Sequence, residues 1–236
     1  MKYTLHKSDT RGYADHGWLK ARHTFSFASY YDPKRIRFGL LRVLNDDIIE
    51  PGGGFGTHPH DNMEIVTIPI SGALEHKDSM GNIEVIRPGE IQNMSAGSGI
   101  THSEYNHSDE ERVNLLQIWV FPKERDITPR YDQKVFPREG RKNKVQTVVS
   151  PDEGGETMWI NQDAVFSLAE IEKGKEVPYK VRFPGNGVYL FVIDGRVKAG
   201  DAELGARDGA GIEDEDTITI RAEENSFAVI IEVPMR

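Results

Sequence analysis

The 236-residue sequence reads as an all-β protein made of two related antiparallel domains, and three observations carry that reading. Short apolar runs are broken by Gly and Pro at frequent intervals. A set of four landmarks occurs twice in the same order. All eight histidines fall at or before His107. The first predicts strands, the second predicts two domains, and the third confines any histidine-based site to the first domain.

From the N-terminus, "MKYTLHKSDTRGYADHG" has no apolar stretch of leader-peptide length, and no segment approaches the ~20 apolar residues of a membrane span. A soluble, cytoplasmic chain is expected. In "RHTFSFASYYDP", His23 and Phe25 are expected to pack an N-terminal strand. "RFGLLRVLNDDII" then stops at "PGGG", "IVTIPI" at "SG", "IEVI" at "RPGE" and "LLQIWVF" at a proline. Such runs, bounded by turn residues, are the pattern of antiparallel sandwiches and barrels, and no helical period competes with it. Pro69 lacks a ladder donor, which predicts an edge position or a bulge there.

The repeat is read from "IPISGALEHKDSMGNIEVIRPGEI" beside "LFVIDGRVKAGDAELGARDGAGI". Each has an apolar run, a turn at Ser71-Gly72 or Asp194-Gly195, and a later Pro88-Gly89 or Asp208-Gly209. Each half closes on an apolar strand ending in proline, "LLQIWVFP" or "FAVIIEVP". Self-similarity of this kind marks a duplicated architecture. The expected division is a first domain over 1–122, a charged linker poor in aliphatics over 123–144, and a second domain over 145–236.

Composition removes several functions. A formal charge of −9 with no basic stripe disfavours direct nucleic-acid binding, which needs concentrated positive charge. With no cysteine, disulfides, iron–sulfur clusters and thiolate sites are excluded, so a metal must take nitrogen and oxygen ligands.

"GFGTHPHDNMEIVTIPISG" supplies such ligands. On an extended strand, side chains at i and i+2 share a face, so His58 and His60 can converge while Pro59 points away. A lone His-x-His is more often turn or surface chemistry. Here "GITHSEYN" provides a second pair of the same parity, His102 and Glu104. Three imidazoles and one carboxylate suit Fe(II), Mn, Ni, Cu or Zn, and a metal taking five or six ligands keeps positions open for chemistry. Glu64 has the same nominal parity as His58 and His60, so spacing leaves open whether Glu64 or Glu104 is the fourth ligand. Its alternative role is an acceptor that orients a ligand imidazole. His16, His23, His76 and His107 lack a carboxylate at ligand spacing and are read as turn, surface or core residues.

"HGWLKARHTFSFASYYDP", "FGTHPHDNMEIV", "EHKDSMGN", "PGEIQNMSAGSGITHSEYN" and "LQIWVFP" closely resemble the pirin family of the cupin superfamily, over essentially the whole chain. The resemblance implies a bicupin: two antiparallel jelly-roll β-barrels, with a metal in the first and none in the second. It implies the ligands His58, His60, His102 and Glu104, with Glu64 outside the set. Ser95 in place of the usual cupin proline, and the long gap from Gly97 to His102, are features shared with pirins. Bacterial pirins resembling this chain are associated with quercetin 2,3-dioxygenase activity, in which O2 cleaves a flavonol with release of carbon monoxide. The expected cofactor is one divalent transition metal, Fe(II) first, with Cu, Ni, Mn, Zn or Co as other candidates. Glu104, with Glu64 as the second candidate, is the expected acceptor of the substrate hydroxyl proton. The alternative implied by eukaryotic pirins is an iron-binding regulator acting through protein partners.

Overall fold

The computed structural model describes residues 2–236. The first half contributes β1 (Lys2–His6), β2 (Gly12–Asp15), β3 (Leu19–His23), β4 (Leu41–Ile49), β5 (Gly54–His60), β6 (Glu64–Ser71), β7 (Leu74–Asp78), β8 (Ile83–Ile86), β9 (Glu90–Ser95), β10 (Ile100–Asn106), β11 (Val113–Val120) and β12 (Arg130–Val135). The second half contributes β13 (Gln146–Ser150), β14 (Met158–Trp159), β15 (Val165–Ile171), β16 (Glu176–Lys180), β17 (Asn186–Asp194), β18 (Arg196–Ala199), β19 (Ala202–Gly205), β20 (Gly209–Glu213), β21 (Thr217–Ala222) and β22 (Ser226–Pro234). No helix among the described residues is long and apolar enough to cross a membrane.

The duplication expected from the landmarks is present in the topology. One seven-stranded sheet runs β12-β9-β6-β11-β4-β3-β2, and its counterpart runs β1-β20-β17-β22-β15-β13-β14. Each faces a four-stranded sheet, β5-β10-β7-β8 or β16-β21-β18-β19. These are the two jelly rolls of a bicupin, each a pair of sheets with open edges. Gly72 and Gly195 make the equivalent turns into β7 and β18 at φ of +74° and +83°. Pro69 sits at a bulge, where the register of β11 against β6 shifts between Asn114 and Leu115.

Burial explains why some runs are continuously apolar and others alternate. β6, β17 and β22 bury both faces, whereas β16 and β21 alternate buried with exposed residues. A strand on an outer sheet has one wet face; a central strand covered on both sides has none. The two large sheets share one core. Val66 and Ile68 of β6 and Leu116 and Ile118 of β11 pack in the same cluster as Phe191 and Ile193 of β17 and Val229 and Ile231 of β22.

The opposite faces differ between the halves. Inside the second jelly roll the core is largely apolar, with Val177, Leu190, Ile220 and Ile230 among its members, and the buried Glu232 accepts from the Tyr179 hydroxyl at 2.7 Å. Inside the first, one apolar cluster gathers around Leu74 and Leu115 and another around Ile65 and Met94. Along β11 the step from Leu115 to Trp119 passes through Gln117, so a polar belt separates the two clusters.

One strand crosses between the halves, and one extends the first beyond its expected end. β1 pairs with β20 of the second jelly roll. β12, inside the segment expected to be a linker, pairs with β9 of the first.

Candidate metal centre

The register of β10 against β5 sets His58 opposite His102 and Pro59 opposite Thr101. Residues two apart share a face, so His60 joins His58 and Glu104 joins His102. Gly54 lets the strands approach: a Cβ there would lie 2.5 Å from the Glu104 carbonyl oxygen. The register shifts between His102 and Glu104, a bulge of the kind that re-aims side chains next to a site. In that stretch His58 Nδ1 lies 2.8 Å from the Gly56 carbonyl oxygen. A carbonyl only accepts, so Nδ1 carries the proton and His58 Nε2 keeps its lone pair.

The three imidazoles converge. Ring centroids are 4.5 Å apart for His58 and His102, and 4.9 Å for each of the other two pairs. Their ligand nitrogens all lie within 4.8 Å of one another, and Glu104 makes a second such group with His102 and His76. His102 and Glu104 are buried while His58 and His60 are half-buried, so the cluster opens on the β5 side. The aromatic ring of Trp119 stands edge-on to His60 at 4.9 Å, with Phe27 edge-on to Trp119 at 5.3 Å.

Burial sets the ionisation of the site. It lowers His60 to about 4, with His58 adding repulsion, and lowers His102 to about 3 with help from the neighbouring imidazoles. Both rings are therefore neutral, the form that binds a metal. Burial pushes the Glu104 carboxyl up to about 7, against the pull of hydrogen bonds from Gln92 and Gln117. Gln117 Nε2 donates to Glu104 Oε2 at 2.9 Å. Asp47, buried on β4, is also raised, first by burial and then by Asp46 and Glu104.

Two atoms test whether a metal fits. His102 Nε2 and Glu104 Oε1 are buried with no hydrogen-bond partner. Leaving such an atom unsatisfied costs about 1–3 kcal/mol, and a bound cation would satisfy both. Three neutral nitrogens and one carboxylate oxygen match a first-row divalent ion.

Glu64 is a correction. It is 1% exposed, and its Oε2 accepts from Ser95 Oγ at 2.7 Å and from the Asn161 backbone N–H at 3.2 Å. It orients no imidazole; it ties the first half to the second. Strand parity does not extend from β5 into β6, because the intervening turn passes through Asn62 at φ +45°. β5 and β6 also belong to different sheets. His76 takes the core option of its expected readings: it is fully buried in the polar belt, 3.4 Å from His102 through their Nδ1 atoms. Its inward parity after Leu74 was the available signal. Gln117, a lone polar residue in "LLQIWVF", carried a similar one.

The second jelly roll lacks the set. Pro178 lies opposite Thr219 as Pro59 lies opposite Thr101, so His58 and His102 correspond to Val177 and Ile220, and His60 to Tyr179. A cleft of about 850 Å³ on the seam between the halves, beside Ile70, Ile193 and Phe227, holds none of the imidazoles.

Residues 5–120 match the pirin family, and residues 147–233 match the quercetinase C-terminal cupin domain. The chain is 44% identical over 230 residues to quercetin 2,3-dioxygenase of Escherichia coli K12, with 98% of each chain covered. It is also 44% identical to a pirin-like protein of Caulobacter vibrioides over 225 residues, 95% of this chain and 96% of that one. The bacterial pirin YhhW from Escherichia coli, solved in complex with nickel(II), superposes with a TM-score of 0.93 at 43% identity, covering 99% of both chains. With this topology, an imidazole cluster in one half only, and relatives of that identity along its whole length, the chain belongs to the pirin family.

Proposed function

We propose that this protein is a metal-dependent flavonol dioxygenase of the quercetin 2,3-dioxygenase type, cleaving its substrate with O2 and releasing carbon monoxide. The metal ligands in this reading are His58, His60, His102 and Glu104. The observation that carries it is a cluster of three imidazoles, buried at His102 and open at His58 and His60, beside the aromatic surface of Trp119 and Phe27. The naming of relatives as quercetin 2,3-dioxygenase supports the substrate class.

A divalent metal there, Fe(II) in our reading, would supply Lewis acidity to the 3-hydroxyl and 4-carbonyl oxygens of a flavonol and a centre for O2 chemistry. The chain does the rest. Glu104, beside the substrate hydroxyl in this reading, takes its proton. Gln117 keeps the carboxylate in place. The face of Trp119 supports the planar ring system of the substrate.

The test is quercetin loss at its visible absorption band, with headspace carbon monoxide, for metal-free, iron, copper, nickel, manganese, cobalt and zinc forms. Metal content should be one per chain. His102→Ala should abolish both metal and turnover, and Glu104→Gln should weaken metal binding by about 100-fold or more, since it removes a charged ligand. Two tightly held metals per chain, or no turnover in any metal form, would sink the proposal. If the iron form then selectively retained a protein partner from lysate, the regulatory reading would replace it.

A further inference from the structure

We infer that His76 is a positioning residue that fixes the tautomer of His102, with Asp78 as its anchor. The inference rests on the reading of His102 as a metal ligand.

The side chain of Asp78 is fully buried with that of His76. Asp78 Oδ1 accepts from the Met80 backbone N–H at 2.9 Å and the Asn82 backbone N–H at 3.0 Å. Asp78 Oδ2 accepts from Asn82 Nδ2 at 2.8 Å and lies 3.2 Å from His76 Nε2. With three N–H donors already aimed at it, this carboxylate is an acceptor. His76 Nε2 is therefore the donor, and a neutral imidazole with its proton on Nε2 presents a lone pair at Nδ1.

That lone pair faces His102. The two Nδ1 atoms are 3.4 Å apart, and one of them must donate. Since His76 Nδ1 is unprotonated, His102 Nδ1 carries the hydrogen and His102 Nε2 is left bare. His102 Nε2 is the buried atom that lacks a partner. His58 is set the same way, with Nδ1–H held by the Gly56 carbonyl. Two of the three imidazoles thus have one nitrogen committed as a donor and the other free toward the cluster, the arrangement that orients metal-bound histidines.

Position supports the chain of contacts. His102 is paired across the ladder with Asp78, and Glu104 with His76, so strand register holds all four residues in place. The ring of Tyr131 from β12 stacks on His76 at 4.7 Å and 26°, which restricts rotation of the imidazole. None of this is needed to fill space, since an apolar side chain would do that. It is needed to present one nitrogen of His102 and not the other.

The experiment uses the full chain labelled with 15N-histidine. Long-range 1H–15N correlation spectra of the metal-free protein at neutral pH should show His102 as the Nδ1–H tautomer and His76 as the Nε2–H tautomer. In His76→Phe the Nε2–H form of His102 should appear, and nickel affinity by competition titration should fall about 10- to 100-fold. In His76→Gln, whose amide can accept from His102 and donate to Asp78, the tautomer should be kept and affinity should stay within about threefold. His102 found as Nε2–H in the wild type would overturn the inference, as would His76→Phe leaving tautomer and affinity unchanged. If His76→Gln lost nickel as completely as His102→Ala, His76 would be a ligand and the positioning role would fall. Should His76→Phe fail to fold, the wild-type and Gln spectra still decide. A wild type that binds no nickel would remove the metal reading, while the tautomers of the metal-free chain are read independently.

Discussion

Glu64 has its acidity set by burial, which pushes its carboxyl up to about 7 despite hydrogen bonds from Ser95 and Asn161 and the charge of Arg130. The folded chain therefore holds this proton more tightly than the unfolded chain, and folding stability from this group is present below the ordinary value of 4.5 and lost as pH rises through about 7. At about 1.4 kcal/mol per unit, the loss is at most roughly 3 kcal/mol. Glu64→Gln should match the wild type in urea denaturation at pH 5 and exceed it at pH 8, with nickel affinity unchanged within about threefold. Parallel pH profiles for the two proteins would contradict this. The sequence showed the imidazoles because parity within a single strand is a local property: His58 with His60 needed only β5, and His102 with Glu104 only β10. The place of Glu64 and the contact of His76 with His102 are not legible there, because a turn and a neighbouring strand make their surroundings, which spacing along the chain does not encode.

The strands at the sheet edges behave differently from those that carry the site. β1 covers the edge of β20, and His6 is buried with its Nδ1 2.8 Å from the Tyr189 hydroxyl. Deleting residues 2–6 uncovers that edge and removes the bond, for an expected loss of roughly 2–3 kcal/mol, or about 5–10 °C in Tm. Nickel affinity should survive, because β1 lies in the other jelly roll. Thermal melts with light scattering check this; an unchanged Tm would show that β1 is dispensable. The central strands could be read from their composition, since burial on both faces demands continuous apolar runs. β12, "RYDQKV", is indistinguishable from linker in composition because an edge strand with a wet face is short and charged, which also protects it from pairing with other chains.

The two jelly rolls are joined by a core and not by a tether. Phe166 of β15 is fully buried in the cluster that also contains Leu116 and Ile118 of β11. Asp46 of the first half accepts from Arg207 of the second at 2.7 Å, and Asn93 donates to the Trp159 carbonyl at 2.7 Å. Separate halves would each expose an apolar sheet to water, so unfolding should be a single cooperative event. In a Trp159→Phe background, fluorescence reports Trp18 and Trp119 of the first half alone. There Phe166→Ala, about 3–5 kcal/mol destabilising, should shift the fluorescence and far-UV dichroism midpoints together. Two separated midpoints would mean that the halves are independent.

The pairing of Lys2–His6 with Gly209–Glu213 also bears on how the chain is made. The ribosome delivers β1 about 200 residues before its partner, which at about 5–20 residues per second is a wait of roughly 10–40 s. β12 follows closely behind the strands that it completes, so the imidazole-bearing half has its own edge in place while the other half is still being translated. During that interval its large sheet presents the apolar face later covered by β15, β17 and β22. The nascent chain is then a client for chaperones, and arresting translation just after Val135 should capture one bound to that face.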